Sequence, residues 1–124
     1  MTGFPGDDAE LMRVARTVDI ETSAGPGRPV HRTVIWIVID DDGRAYVRSF
    51  RGRAGRWYRE LVANPEGAVH VGSRRVPIRA EHANGDGVIA CSRLLRAKYR
   101  SSRGSLMSMV RDEVLDTTLE LAPA

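Results

Sequence analysis

Arg48-Ser-Phe-Arg-Gly-Arg-Ala-Gly-Arg-Trp-Tyr-Arg-Glu-Leu-Val-Ala-Asn-Pro65 is the stretch on which the interpretation of this chain depends. It predicts the end of a strand, a glycine-containing loop, and a short helix that stops before Pro65, because a residue that precedes proline avoids helical geometry. Five arginines come before the first carboxylate of the stretch: Arg48, Arg51, Arg53, Arg56 and Arg59. Helix N-termini attract anions, so a basic loop that leads into a helix is a typical place to bind phosphate. From composition alone, a solvated basic loop in an arginine-rich protein is about as well supported as a phosphate-binding loop.

The length and composition predict one soluble domain. The chain has 124 residues and a formal net charge of +3, and Lys98 is the only lysine among its 19 basic residues. Its single cysteine, Cys91, excludes an intramolecular disulfide. No apolar run approaches the roughly 18 residues that a membrane span needs, and the N-terminus lacks a signal-peptide pattern. We therefore expect a cytoplasmic domain over residues 1–124, with residues 1–6 as a loose leader.

A long strand followed by a hairpin forms the predicted centre of the fold. Val34-Ile-Trp-Ile-Val-Ile39 is the most hydrophobic run of the chain and predicts a strand over His31–Ile39 that is buried on both faces. Asp40-Asp-Asp-Gly43 predicts a tight turn, and Ala45–Phe50 the returning strand. This turn lacks the later glutamate and the alternating ligands of a calcium loop, so the turn interpretation is preferred.

The remaining segments predict a small antiparallel barrel. Further strands are expected over Thr17–Thr22, Ala68–Val71, Val76–Ala80 and Val114–Leu121, and helices over Asp7–Val14, Gly55–Ala63 and Val88–Arg100. The segment Leu106–Val114 fits either a helical turn or a hydrophobic lid. Short strands joined by hairpins, without a strand-helix-strand rhythm, favour a barrel of about six strands.

Classical catalytic and metal patterns are missing from the sequence. The three histidines, His31, His70 and His82, are far apart, and none belongs to a nucleophilic triad. Nothing matches zinc-ligand spacing, so no metal site is predicted, and Cys91 fits core packing on an apolar helix face. A basic barrel also suggests oligonucleotide binding, but the few aromatic residues give weak support for a base-stacking platform.

Four segments resemble a known family in their order and spacing. They are Gly27-Arg-Pro-Val-His-Arg-Thr33 ahead of a strand with Trp36, Tyr46-Val-Arg-Ser-Phe-Arg-Gly52, Trp57-Tyr-Arg-Glu-Leu-Val-Ala-Asn-Pro65, and Val69-His-Val-Gly72. Together they resemble the deazaflavin-dependent nitroreductase family, within the flavin-binding split β-barrel superfamily that includes pyridoxamine-phosphate-oxidase-like proteins. The resemblance covers residues 17–82, and the sequence resembles an uncharacterised branch of the same superfamily even more closely.

This resemblance implies a mainly β, α+β fold: a six-stranded antiparallel split β-barrel with two or three short helices. It implies FMN or the deazaflavin coenzyme F-420 as cofactor, hydride transfer to a small electron-poor substrate, and a homodimer. A non-catalytic carrier of the same cofactor is the first alternative, and nucleic acid is an unlikely partner.

The implied cofactor site has phosphate ligands, loop-shaping residues and ring contacts. The phosphate ligands are Ser49, Arg51 and Arg53; the loop is shaped by Gly52, Gly55 and Arg56; the remaining contacts are Arg32, Thr33, Trp36 and Trp57. Trp36 and Trp57 fit core packing equally well. Arg53 and Arg56 stand where the family has glycine and proline, and the extra arginines suit a polyanionic cofactor tail. No catalytic residue is identified, with Tyr58 and Tyr99 as candidate proton donors.

Overall fold

A computed structural model describes residues 3–124, and within this range the chain forms seven strands, four α-helices and two short 3-10 helices. The strands are β1 (Val18–Ser23), β2 (Val30–Ile35), β3 (Val38–Ile39), β4 (Ala45–Val47), β5 (Glu66–Val71), β6 (Arg74–His82) and β7 (Leu119–Pro123). The α-helices are α1 (Gly6–Val14), α2 (Arg56–Ala63), α3 (Gly85–Lys98) and α4 (Arg103–Val110). The 3-10 helices cover Gly52–Ala54 and Asp112–Thr117.

All seven strands belong to one curled antiparallel sheet. Their order is β2-β1-β5-β6-β7-β4-β3. β2 and β3 are consecutive in the chain yet lie at opposite ends of this order, so the two residues between them carry the chain from one sheet edge to the other. The sheet must curl for so short a link to connect its two edges, and the result is a half-barrel.

The predicted class, α+β with an antiparallel barrel-like sheet, is confirmed, but the predicted six strands and two or three helices are wrong. The expected strand over His31–Ile39 is interrupted at Trp36 and Ile37 and becomes β2 and β3. Its expected burial on both faces is also wrong, since Val34 is 65% exposed on β2. The three expected helices are found, and α4 corresponds to the helical alternative for the segment Leu106–Val114, although it begins at Arg103 and ends at Val110.

Side chains from the end of α3 explain the interruption. The N–H of Ile37 donates to the Tyr99 hydroxyl at 3.4 Å, and its carbonyl accepts from Lys98 Nζ at 2.8 Å. The rings of Trp36 and Tyr99 are stacked, with centroids 3.8 Å apart and planes 1° from parallel. Because α3 satisfies the backbone of Ile37, this residue needs no neighbouring strand.

The C-terminal segment also differs from its prediction. The strand expected over Val114–Leu121 begins only at Leu119, because the preceding residues form a 3-10 helix. The hydroxyls of Thr117 and Thr118 donate to the carbonyls of Val114 and Leu115 at 2.6 and 2.7 Å. Threonine side chains that bond to nearby backbone in this way compete with strand pairing.

Two apolar clusters pack on opposite faces of the sheet. The larger lies inside the curl and includes Ile20, Val69 and Leu121, together with Leu61 from α2. The smaller, which includes Tyr46 and Leu95, lies between the β3–β4 hairpin and helices α3 and α4. Burial of these clusters packs α2 against the inside of the curl and packs α3 and α4 against the β3–β4 hairpin.

The predicted leader over residues 1–6 falls partly outside the described residues, which begin at Gly3. Phe4 is buried, and its N–H donates to the carbonyl of Gly43 at 2.9 Å. α1 already begins at Gly6. None of the helices within residues 3–124 has the length and apolar character that crossing a membrane requires.

Candidate functional site

A cavity of about 570 Å³ opens beside the loop that follows β4. Four parts of the chain form its walls: residues 33–36 of β2 and the following link, residues 48–51 after β4, residues 55–57 at the start of α2, and Ser105 and Met109 of α4. Its volume lies within the range of small-molecule and cofactor sites. The lining side chains in the described structure include no aspartate, glutamate, histidine, lysine or cysteine.

The loop between β4 and α2 is held in a tight conformation. Gly52 has a φ of +64°, in the left-handed region that favours glycine, and its N–H donates to the carbonyl of Ser49 at 3.0 Å. The N–H of Ser49 donates to Thr117 Oγ1 at 3.1 Å. These bonds fix the loop ahead of α2, whose first amides lack intrahelical partners.

Ser49 and Gly55 meet at the base of this loop. Ser49 is 1% exposed, and its Oγ has no hydrogen-bond partner. A Cβ atom on Gly55 would collide with that oxygen, so only glycine leaves room for it. A buried hydroxyl without a partner is unfavourable, and Ser49 is one of the residues that line the cavity.

The predicted arginine ligands separate into two groups. Arg51 and Arg56 line the cavity. Arg53 instead makes an ion pair with Asp116, and Arg32 pairs with Asp19 at 3.0 Å, both away from the lining residues. Two of these four arginines are therefore among the cavity-lining residues.

The other predicted residues that line the cavity are Thr33, Trp36, Ser49, Gly55 and Trp57. Gly52 is not among the lining residues and lies against the second 3-10 helix, near Glu113 and Val114. Trp57 is buried, and its ring packs edge-on against Tyr58. Seven of the ten predicted site residues thus share one cavity. Their role in binding a cofactor stays a prediction.

Arg48 lines the cavity but was not among the predicted ligands. The sequence carried a signal for it, because a charged residue directly follows the apolar β4 segment Ala45-Tyr-Val47 and precedes the predicted phosphate-binding serine. Charged side chains are rarely buried without a specific partner, and Arg48 is almost fully buried.

Neither candidate proton donor lines the cavity. Tyr99 is buried, its hydroxyl donates to the carbonyl of Arg16 at 2.9 Å, and burial raises its pKa to about 12. Tyr58 lies within 2.7 Å of His82 Nε2, and burial raises its pKa as well. Both hydroxyls bond to other parts of the chain rather than to the cavity lining.

Cys91 is buried in the cluster between α3 and the β3–β4 hairpin, as expected from its helix face. Burial raises the pKa of its thiol to about 11, so the thiolate needed for nucleophilic or metal chemistry is disfavoured. Within residues 3–124 no group of three or more histidine, cysteine, aspartate or glutamate side chains is arranged to hold a metal ion.

The curled antiparallel sheet, the α2 helix packed against it and the cavity beside the β4–α2 loop define a split β-barrel protein. The family model described as an uncharacterized protein conserved in bacteria (DUF2255) matches residues 10–121. Because the match covers most of the chain, this protein belongs to the DUF2255 family. A comparison with curated proteins gives no match.

Solved structures share the fold at low sequence identity. The protein Atu2129 from Agrobacterium tumefaciens has a TM-score of 0.66 and 16% identity over 95% of this chain, which spans only 54% of that protein. An F420-H2 dependent reductase (FDR-A) has a TM-score of 0.65 and 14% identity, covering 86% of this chain and 93% of its own. HutZ, a heme storage protein from Vibrio cholerae, has a TM-score of 0.63 and 14% identity, covering 99% and 92%. At these identities the likeness establishes the split-barrel fold, as the sequence predicted, and no ligand.

Proposed function

We propose that this protein is a split-barrel domain that binds FMN or the deazaflavin coenzyme F-420 in the cavity beside the β4–α2 loop. The observation that carries the proposal is the buried, unpartnered Oγ of Ser49 in the cavity wall, with Gly55 leaving space for it. A phosphate oxygen of the cofactor would accept a hydrogen bond from that hydroxyl. The start of α2 would supply further donors.

Charge supports the same ligand class. Arg51 and Arg56 line a cavity whose described walls contain no carboxylate, so the cavity attracts anions. Arginine is well suited to phosphate because its planar guanidinium donates two parallel hydrogen bonds. Two lining arginines beyond the serine also fit the longer anionic tail of the deazaflavin coenzyme.

The aromatic and apolar walls would take the ring system. Trp36 and Trp57 stand in two different walls of the cavity, and Val34, Ile35 and Met109 add apolar surface. When bound, such a cofactor supplies hydride transfer itself, and the protein contributes binding, orientation and exclusion of water. We infer an oxidoreductase that acts on a small electron-poor substrate, and the F420-H2 dependent reductase of the same fold supports this class.

A non-catalytic carrier of the same cofactor is the second candidate. It is favoured by the absence of any acid or base other than arginine among the described lining residues. A heme storage protein, HutZ, shares the fold and supports this class. Turnover with the bound cofactor distinguishes the two candidates.

We also propose a homodimer formed through β2, since this strand ends the described strand order and exposes two valines. Val30 is 62% and Val34 is 65% exposed. Val34 also belongs to the cavity lining, so a partner seated on this strand would extend the wall of the site.

The proposal is tested by fluorescence titration of the purified protein with FMN and, separately, with oxidised coenzyme F-420. Saturable binding of one of them is expected, and Ser49→Ala should weaken it about tenfold through the loss of one hydrogen bond to a charged acceptor. The same variant should be at least as stable as the wild type, because it removes a buried hydroxyl that has no partner. Ser73→Ala, at the exposed β5–β6 turn, is the matched control.

Failure of both cofactors to bind would refute the proposal and make oligonucleotides the next ligands to test. Binding that is unaffected by Ser49→Ala would leave a cofactor protein but remove the assigned phosphate contact. Reduction of nitro-substituted test compounds by the loaded protein would support the enzyme, and binding without turnover would support the carrier.

A further inference from the structure

Arg48 is a buried guanidinium whose four hydrogen bonds all go to neutral acceptors. The side chain is 2% exposed. Its Nε donates to Thr118 Oγ1 at 2.9 Å, and Nη1 donates to Ser92 Oγ at 2.9 Å and to the carbonyl of Met109 at 3.0 Å. Its Nη2 donates to the carbonyl of Val88 at 3.0 Å. The guanidinium therefore joins α3, α4 and the start of β7, yet none of these partners carries a negative charge.

No carboxylate of the described chain forms an ion pair with Arg48, and residues 1 and 2 are methionine and threonine. Burial lowers the pKa of the guanidinium, and the Cys91 thiol is the group that opposes this effect. The burial-raised pKa of that thiol keeps it neutral. Since arginine does not lose its proton in proteins, the positive charge of Arg48 persists without an internal counter-ion.

The position of this charge connects it to the cavity. Arg48 lines the cavity next to Ser49, whose buried hydroxyl also lacks a partner. Two consecutive lining residues thus carry a charge without a counter-ion and a hydroxyl without a hydrogen-bond partner. A buried charge is strongly unfavourable unless a counter-charge compensates it, and a charge in a poorly solvated wall acts on a ligand more strongly than a solvated surface charge.

We propose that the counter-ion of Arg48 is the anionic group of the ligand, so that Arg48 makes the cavity selective for a phosphate-bearing ligand over its neutral analogue. The inference deepens the proposed function and rests on it for the identity of the flavin. Arg51 and Arg56 add attraction at the cavity wall, whereas Arg48 supplies the charge that the folded chain itself leaves uncompensated. Arg48 is thus a specificity-determining residue rather than a catalytic one.

A purely structural clamp is the competing role, because the same four bonds join α3 to α4 and β7. The two roles differ in what they change. A clamp affects the stability of the protein and the affinity for every ligand of the cavity alike, whereas a counter-charge affects the preference between a phosphorylated ligand and its unphosphorylated analogue.

The test compares FMN with riboflavin by isothermal titration for the wild type, Arg48→Gln and Arg48→Lys. The wild type should prefer FMN at least tenfold, Arg48→Gln should lose most of this preference while its riboflavin affinity changes little, and Arg48→Lys should keep it, because the charge remains. Arg93→Gln on the exposed face of α3 is the control and should leave the preference unchanged. An unchanged preference in Arg48→Gln would overturn the inference.

A second measurement tests the inference if a variant does not fold or if no flavin binds. Inorganic phosphate should raise the thermal unfolding midpoint of the wild type, and this rise should persist in Arg48→Lys and shrink in Arg48→Gln. If no flavin or deazaflavin binds, the proposed function fails, but an Arg48-dependent rise with phosphate still supports the counter-ion. If Arg48→Gln does not fold, the unfolding midpoints of the wild type and Arg48→Lys are compared with and without phosphate. The absence of any rise with phosphate in the wild type refutes the inference.

Discussion

At the scale of single residues, the contact between Gly55 and Ser49 depends on space rather than on charge. Gly55 has φ −62° and ψ 131°, which any residue can adopt, so its identity is not required by backbone conformation. It is required by space, because Ser49 Oγ occupies the volume that a side chain would take. Because this requirement is steric, it can be measured as a change in protein stability without any ligand.

Gly55→Ala should therefore destabilise the protein by about 1–3 kcal/mol, the usual cost of an added methyl group in a packed site. In the Ser49→Ala background the same substitution should cost less than about 1 kcal/mol, because the colliding oxygen is gone. Chemical denaturation of the two single variants and the double variant gives the coupling energy. Gly85→Ala, where no atom lies within 4 Å of the new Cβ, is the control; equal costs in both backgrounds would show that this contact is not responsible.

The sequence predicted much of this site because the pattern from Arg48 to Pro65 couples a loop to a helix through local rules. It did not distinguish Arg51 and Arg56, which line the cavity, from Arg53, which pairs with Asp116. Asp116 lies far along the chain, in a segment expected to be a strand, so local patterns contain no information about that pairing. The burial of Arg48 depends in the same way on acceptors from α3, α4 and β7.

At the scale of elements, the strands with strong alternation or hairpin turns were predictable, and the interruption of the β2–β3 segment was not. Six consecutive apolar residues favour one continuous strand by any local criterion. The interruption arises because Lys98 and Tyr99 bond to Ile37 from a helix about 60 residues later. The start of β7 was misplaced for a related reason, since threonine hydroxyls close a 3-10 helix there.

The prediction at this scale concerns β2 as the homodimer interface. If it forms the homodimer interface, Val30→Lys should yield a monomer, because a desolvated lysine in an apolar interface costs more than the valine contributes. Light scattering should give twice the chain mass of 13.7 kDa for the wild type and the single mass for the variant. Val14→Lys places the same charge on α1 at a valine that is 68% exposed and should leave the dimer intact. A monomeric wild type would exclude this interface.

At the scale of the whole molecule, the short link from β2 to β3 ties the two edges of one sheet together, and ion pairs across the strands reinforce the curl. One such group joins three adjacent strands. Glu21 on β1 accepts a hydrogen bond from Arg75 Nη2 on β6 at 2.8 Å and lies 2.7 Å from His70 Nε2 on β5. Arg75 is the main cause, and His70 a further one, of the low pKa of Glu21, about 2, against the opposing effect of burial.

The pH dependence of stability follows from the direction of that shift. The folded carboxyl has a pKa of about 2 against 4.5 in the unfolded chain, so the unfolded chain binds more protons between these values. The contribution of Glu21 is thus complete above pH 4.5 and is lost as the pH falls towards 2. Its size is about 2 kcal/mol, reduced from the full shift because Arg75 is 53% exposed.

Glu21→Gln should therefore lower the free energy of unfolding by about 2 kcal/mol at pH 7, and the difference from the wild type should shrink steadily below pH 4.5. Urea denaturation at a series of pH values measures both quantities. Glu66→Gln is the matched control, because the Glu66–Arg79 pair on β5 and β6 is exposed and 3.8 Å apart, and surface pairs of this kind contribute little. A difference for Glu21→Gln that stays constant down to pH 2.5 would mean that the side chain stabilises the sheet through packing, and the three strands would then be joined by their backbone ladder rather than by this charge.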